Sequence, residues 1–202
     1  MPTQIIGISG TNGSGKDTVG HLLAQEHNFL FVSGSDMLRA ELKARGLPLT
    51  REQTRSFSSA WRRKSGLGVI IDKAVEVYEQ AGGDSKYSGL AIASLRNPGE
   101  ADSVHERGGK VIWVDAEPKI RYERIRVNAH LRGADRAATD DLSFTKFLSE
   151  EAAEMNPATQ DDPTLLSMSG VKAKSDLFLQ NNGHDLGLLS NELNRLLGFS
   201  QS

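Results

Sequence analysis

The chain has 202 residues and a mass of 22.0 kDa, which suits one well-buried α/β domain and is short for two. Its formal net charge of −2 provides no field that would gather nucleic acid, and the absence of cysteine excludes disulfides, thiolate metal sites and thiol catalysis. The sequence shows no secretion signal and no apolar run long enough to cross a membrane, so we expect a cytoplasmic chain with neither nucleic acid nor a membrane as its partner.

The first part of the chain alternates apolar runs with helical patterns. Strands are predicted over 4–9 and 29–33, and helices over 17–27, 35–45 and 69–80. Residues 47–63 are polar and irregular, so no regular element is predicted there. The pattern indicates a helical insertion in the middle of an otherwise alternating chain.

The second part continues the alternation. Strands are predicted over 89–95, 110–115 and 175–180, and helices over 100–107, 118–129, 143–155 and 185–197. Residues 156–170 read as a loop with two prolines. Five short apolar strands separated by helices predict an α/β fold with a five-stranded parallel sheet and helices on both faces. In such a fold the ligand lies beyond the carboxyl ends of the strands.

A glycine-rich segment follows the first predicted strand directly. Residues 10–16 read G-T-N-G-S-G-K, which fits the pattern G-x-x-x-x-G-K between a strand and a helix. Glycines let backbone N–H groups converge on an anion, the helix N-terminus adds partial positive charge, and Lys16 can reach terminal phosphates. A tight turn would explain the glycines but not the lysine. We therefore predict a nucleoside triphosphate site formed by Gly10, Asn12, Gly13, Ser14, Gly15, Lys16, Asp17 and Thr18.

One position departs from this pattern. Asp17 follows the lysine where a serine or threonine usually places its hydroxyl group on magnesium, and Thr18 comes one residue later. The carboxylate could bind magnesium through water, or it could simply favour the positive end of the helix. The residues leave both interpretations open.

Arginines form a second group of candidates. Arg39 and Arg96 follow predicted strands, so guanidinium groups there could clamp an acceptor phosphate and stabilise charge in a phosphoryl transfer. Arg45 and Arg121 are expected on solvated helix faces. Further arginines surround a glycine-containing segment. The candidate catalytic residues are Lys16, Arg39, Arg96, Arg126, Arg132 and Arg136.

Several segments resemble nucleotide kinases. Residues 33–40, S-G-S-D-M-L-R-A, resemble the T-G-D-M-L-R-A stretch of adenylate kinases, in which the arginine grips the acceptor phosphate. Residues 95–100 and 114–118 are similar to archaeal and bacterial nucleotide-kinase-like proteins related to adenylate, deoxynucleoside monophosphate and dephospho-CoA kinases. The resemblance implies a three-layer P-loop NTPase fold in a single domain, with ATP and Mg²⁺ as cofactors. It also implies small nucleotide substrates.

The resemblance carries further assignments and one departure. It implies an acceptor-binding insertion at about 35–85, a lid at about 127–141, and a donor-base contact at Asn181. The resembling kinases end the third strand in Asp-Gly, whereas this chain has Ala93 and Ser94, so a carboxylate that organises magnesium is absent there. Asp17, Asp36 and Asp115 are the candidates to replace it. Asp36 is preferred because it follows the neighbouring strand, whereas Asp115 is expected to start its turn.

The leading expectation is transfer of the γ-phosphoryl group of ATP to a nucleoside monophosphate or a similar phosphorylated acceptor. One alternative is a dephospho-CoA kinase. Another is a nucleotide-binding regulatory protein with little or no turnover, motivated by Ala93. Phosphorylation of nucleic-acid ends is suggested by Phe57 and Trp61 within a basic segment, but the net charge disfavours it. The five histidines show no metal-ligand spacing, and the chain is expected to be a monomer or a homodimer.

Overall fold

The computed structural model describes residue 2 and residues 4–127, 143–156 and 162–199. The predicted lid lies almost entirely outside these ranges, and so do Arg132 and Arg136. The strands are β1 (Ile5–Gly10), β2 (Phe29–Ser33), β3 (Gly89–Leu95), β4 (Lys110–Asp115) and β5 (Leu177–Gln180). The helices are α1 (Lys16–His27), α2 (Gly34–Ala44), α3 (Arg51–Ser65), α4 (Val69–Gln80), α5 (Pro98–His105), α6 (Pro118–Val127), α7 (Phe144–Met155), α8 (Met168–Ala173) and α9 (Leu186–Leu197).

The five strands form one parallel sheet in the order β2-β3-β1-β4-β5. The central strand β1 is buried along its whole length and pairs with β3 on one side and β4 on the other. β3 and β2 lie on one side of β1, and β4 and β5 lie on the other. The carboxyl end of β1 is therefore the point where the strand order changes direction, which is where ligands bind in open parallel sheets. The predicted parallel sheet with helices on both faces is confirmed.

Alternate residues of β1 enter two separate cores. Ile6 packs with Val19 and Leu23 of α1 and with Leu193 of α9 on one face of the sheet. Ile5 packs on the other face with residues of α4, α5 and α8. Because a strand directs successive side chains to opposite faces, the unbroken apolar run of β1 serves both cores.

Two helices fall where the sequence predicted none: α3, and α8, which begins at Met168 inside the predicted loop over 156–170. The 15-residue helix α3 begins after Thr50, whose side chain accepts a hydrogen bond from the backbone N–H of Gln53. Its buried face carries Ser58, Ser59 and Arg62 in place of apolar residues. Hydrophobic periodicity could not reveal it, because the helix is buried through polar contacts.

The start of α5 also differs from the predicted bounds. Asn97 accepts a hydrogen bond from the backbone N–H of Gly99, and the carboxylate of Glu100 accepts one from the backbone N–H of Asn97. This reciprocal capping, with Pro98 in the first turn, starts the helix before Glu100. Within the described ranges, no helix is both long and apolar enough to cross a membrane.

Candidate active site

The phosphate loop joins β1 to α1 and is packed tightly against its neighbours. Gly13 has a φ of +80°, and a side chain there would come within 2.6 Å of the carbonyl oxygen of Arg121. Gly15 has a φ of +94°, and a side chain there would come within 2.4 Å of the amide nitrogen of Asn181. Only glycine fits both the backbone conformation and the space at these two positions.

Lys16 and the surrounding loop are held in place by hydrogen bonds. The Nζ atom of Lys16, which is 8% exposed, lies 3.5 Å from the carbonyl oxygen of Thr11. The Nδ2 atom of Asn181 donates to the carbonyl oxygen of Ser14 over 2.8 Å. Thr11 donates its hydroxyl group to Asp115 over 3.0 Å. These hydrogen bonds hold the loop against β4 and against Asn181, which follows β5.

One cavity of about 130 Å³ extends from this loop across the carboxyl ends of β1 and β3. It brings together predicted residues from distant parts of the chain: Asn12, Lys16, Asp17, Arg39 and Arg96. It also contains residues that the sequence analysis missed: Arg51, Arg55, Arg62, Ser94, Glu100 and Glu154. A signal for the missed arginines did exist, because Arg51, Arg55 and Arg62 recur at helical spacing through α3.

Glu154 of α7 holds two arginines of the cavity together. It accepts hydrogen bonds from Arg96 over 2.6 Å and from Arg55 over 2.7 Å. Burial alone would raise the pKa of Glu154, but the charges and hydrogen bonds of Arg96 and Arg55 outweigh it and lower the pKa to about 2. The charge of Glu154 in turn raises the pKa of Arg96. Glu154 is thus ionised throughout the physiological range.

Two other glutamates of α7 pair with arginines beside the loop. Glu150 accepts a hydrogen bond from Arg51, and Glu151 accepts one from Arg121. Together with Glu154, these residues place one face of α7 against the rim of the cavity. The helix that follows the predicted lid therefore supplies the carboxylates that balance the arginines.

Arg62 and Glu100 form a buried ion pair at the base of the cavity. Their side chains are 2% and 1% exposed, and two guanidinium nitrogens contact one carboxylate oxygen at 2.6 and 3.1 Å. The other carboxylate oxygen accepts the backbone N–H groups of Arg96 and Asn97 at 2.7 and 3.1 Å. This pair fixes the turn that presents Arg96 to the cavity.

Arg121 corrects an expectation of the sequence analysis. Its helical position suggested a solvated face, yet it is 2% exposed. It donates to the carbonyl oxygen of Ala116 over 2.7 Å and to that of Asn12 over 3.4 Å, and it pairs with Glu151. Arg121 therefore joins α6 and α7 to the phosphate loop. A neighbour on α6, Arg124, donates to the carbonyl oxygen of Asn181 over 2.8 Å.

Other candidates lie away from the cavity. Asp36 is exposed on α2 and is not among the residues that line the cavity. Arg126 is exposed, with its guanidinium group 5.7 Å from the centre of the Tyr122 ring. Asp115 receives hydrogen bonds from Thr11 and from the backbone of Ala116. Asp36 and Arg126 do not line the cavity with Lys16, whereas Asp115 is joined to the loop through Thr11, whose carbonyl oxygen lies 3.5 Å from the Nζ atom of Lys16.

One oxygen of the Asp17 carboxylate lacks a hydrogen-bond donor among the described residues. This Oδ1 atom is buried and has no hydrogen-bond partner there, although Asp17 lines the cavity. A buried carboxylate oxygen without a donor or a cation is costly, so its surroundings fit a cation. Within the described ranges no group of three or more His, Asp or Glu side chains could hold a metal ion. A cation at Asp17 would therefore need ligands from a bound nucleotide or water.

The chain is similar to known proteins over most of its length. A UPF0200 protein from Methanococcus maripaludis is 24% identical over 182 residues, which cover 90% of this chain and 89% of that protein. A cytidylate kinase from Methanococcoides burtonii is 27% identical over 154 residues, which cover 75% of this chain and 74% of that protein.

The crystal structure of a shikimate kinase from Bacteroides thetaiotaomicron gives a TM-score of 0.62 at 13% identity, over 96% of this chain and 98% of that one. This likeness shows the fold, which is that of the P-loop kinases. Residues 6–137 match the AAA domain family. The chain therefore belongs to the AAA domain family, and its relatives place it among the kinase-like P-loop proteins.

Proposed function

We propose that the protein is an ATP-dependent phosphotransferase that moves the γ-phosphoryl group to a nucleoside monophosphate or a similar small phosphorylated acceptor. The observation that carries the proposal is the single cavity that joins the phosphate loop to the arginines of α2, α3 and β3. Phosphoryl transfer needs a donor site and a cationic acceptor site that share one enclosed space.

The donor end of this cavity is the phosphate loop. The backbone N–H groups of residues 10–18 and the N-terminus of α1 would receive the phosphates of ATP, and Lys16 would contact the terminal ones. Asn181 lies against Gly15 and Ser14. This position supports its predicted role beside the donor nucleotide.

The acceptor end is cationic. Arg39 and Arg96 line it, together with Arg51 and Arg55 of α3. Guanidinium groups bind phosphate oxygens through paired hydrogen bonds, so this end suits a phosphorylated acceptor better than a neutral one. The cytidylate kinase relative supports a nucleoside monophosphate. Dephospho-CoA has the same phosphorylated chemistry and is the alternative acceptor.

The remaining candidate residues complete the proposed machinery. Asp17 fits magnesium because of its unpartnered buried oxygen, and the exposure of Asp36 favours Asp17 over it. Magnesium would neutralise charge on the phosphates when bound. Arg132 and Arg136 are proposed to act from the lid over about 127–141, and Arg126 from the last turn of α6 directly before it. The reaction needs no covalent intermediate, because positioning and arginine charge account for this type of transfer.

The test is a coupled assay of ADP formation with ATP, Mg²⁺ and one acceptor at a time. The acceptors are AMP, CMP, UMP, the deoxynucleoside monophosphates, dephospho-CoA and shikimate. We expect transfer to at least one phosphorylated acceptor, and a loss of about 100-fold or more in Lys16→Ala. Lys73→Ala is the matched control, because Lys73 is exposed and pairs only with Glu76 on its own helix. Absence of transfer to every acceptor would contradict the proposal.

A second candidate is a nucleotide-binding protein with little turnover. It is favoured by Ala93, which lies near the carboxyl end of β3 and has no carboxylate, and by the carboxylates of α7 that engage the arginines. In that case ATP would raise the melting temperature without transfer to any acceptor. The variant Ala93→Asp would then gain activity, whereas a wild-type rate typical of kinases would eliminate this candidate.

A further inference from the structure

Ser94 has an unusual backbone conformation at the cavity end of β3. Its φ of +73° lies in the left-handed region, which residues other than glycine rarely adopt. Among the described residues, Asn28 at the end of α1 is the one other non-glycine residue with a positive φ. Strain of this kind persists where the surrounding structure requires it, and it concentrates at functional sites.

The strain coincides with a shift in the pairing of β1 with β3. Ile8 lies opposite Ala93, but Ser9 lies opposite Leu95, so Ser94 has no partner on β1. An extra residue in a strand changes the direction of a side chain and is often found next to active sites. Ser94 lines the cavity and is 8% exposed. Its hydroxyl group has no hydrogen-bond partner within the ranges that the structure describes.

Asp17 lines the same cavity and also has an oxygen without a partner among the described residues. The other carboxylates of the cavity lining, Glu100 and Glu154, are engaged by arginines. Among the described residues of the cavity lining, Asp17 therefore offers a buried carboxylate oxygen without a donor, and Ser94 offers a hydroxyl group that no arginine engages.

On the basis of the proposed function, we propose that Ser94 and Asp17 together bind the hydrated magnesium ion of the bound nucleotide. Mg²⁺ prefers oxygen ligands and usually keeps several waters beside one or two protein groups and phosphates. The resembling kinases carry a carboxylate at the position of Ala93, which has no oxygen in its side chain. The sheet compensates by directing the next residue into the cavity, and a serine is kept there in spite of the strain.

The test compares Ser94→Gly, Ser94→Ala and Asn28→Gly in the full chain. Glycine removes both the hydroxyl group and the strain, whereas alanine removes the hydroxyl group alone. Without ligand we therefore expect a higher Tm for Ser94→Gly than for Ser94→Ala. Asn28→Gly relieves the same kind of strain away from the cavity and serves as the matched control.

The affinity for ADP is then measured by titration calorimetry in Mg²⁺ and in EDTA. Both Ser94 variants and Asp17→Asn should lose about tenfold in Mg²⁺ and remain at wild-type affinity in EDTA. In the presence of ADP, electron paramagnetic resonance should show less Mn²⁺ bound to these three variants than to the wild type. Asn28→Gly should match the wild type in both measurements.

Wild-type magnesium dependence in both Ser94 variants would overturn the inference. An equal loss of affinity in Mg²⁺ and in EDTA would also overturn it, because the hydroxyl group would then contact the nucleotide itself. If the wild type transfers phosphate and the Ser94 variants match it throughout, this inference fails and the proposed function stands. If the wild type binds no nucleotide, both fail.

Discussion

At the scale of single residues, two arginines that the sequence analysis expected on solvated helix faces have opposite environments. Arg45 is exposed and pairs with Glu41 on its own helix, whereas Arg121 is buried against the phosphate loop. A guanidinium group is buried only where acceptors from other elements meet it, and those of Arg121 come from residues 12, 116 and 151. Such convergence is tertiary information, so spacing along α6 could not reveal it.

This burial makes Arg121 a residue of structural importance. We expect Arg121→Ala to lower the free energy of unfolding by about 3 kcal/mol, because it leaves two carbonyl oxygens and Glu151 without their donor. Urea unfolding monitored by circular dichroism would measure the change. Arg195→Ala is the control, because its ion pair with Glu192 is exposed and screened by solvent, so this substitution should change the free energy of unfolding far less. An equal effect of the two substitutions would contradict the burial of Arg121.

At the scale of elements, α3 and α7 form one wall of the cavity and are joined to each other by ion pairs. Arg51 and Arg55 of α3 face Glu150 and Glu154 of α7, in two pairs with the same spacing of four residues on each helix. Residues four apart lie on the same face of a helix, so the two helices meet along matching stripes. The spacing of four residues can be read from each sequence segment, but the pairing of the α3 arginines with the α7 glutamates cannot.

The lowered pKa of Glu154 predicts a specific dependence of stability on pH. A carboxylate whose pKa falls from 4.5 to about 2 on folding stabilises the protein above pH 4.5 by about 3 kcal/mol at most. This contribution is lost as the pH falls through 4.5 toward 2. The difference in unfolding free energy between the wild type and Glu154→Gln should therefore shrink over that range. Chemical denaturation at several pH values would measure it.

Glu192→Gln is the control for this measurement. Glu192 pairs with Arg195 on an exposed face of α9, and hydrogen bonding to Arg195 also lowers its pKa. Its effect on stability should be small at every pH because solvent screens exposed pairs. A difference for Glu154→Gln that stayed constant from pH 5 to pH 2 would contradict the assignment.

At the scale of the whole molecule, the sheet and the phosphate loop could be predicted from the sequence, whereas the side of the cavity formed by α3 and α7 could not. The strands over 29–33, 89–95 and 110–115 were predicted with the observed bounds, because short apolar runs leave a clear local pattern. The acceptor side depends on α3, which buries polar residues, and on contacts between α3 and α7. Those contacts follow from the packing of helices and have no local pattern.

The ion pairs between α3 and α7 also bear on how the molecule folds. Arg51 and Glu150, like Arg55 and Glu154, are 99 residues apart in the chain. Closing so long a loop costs chain entropy before the pairs can compensate, so they should form after β1, β3 and β4 have assembled. Elements joined last also tend to open first. Hydrogen exchange followed by mass spectrometry should therefore show amides of α7 exchanging well before those of β1, so that the α7 side of the cavity opens before the sheet does.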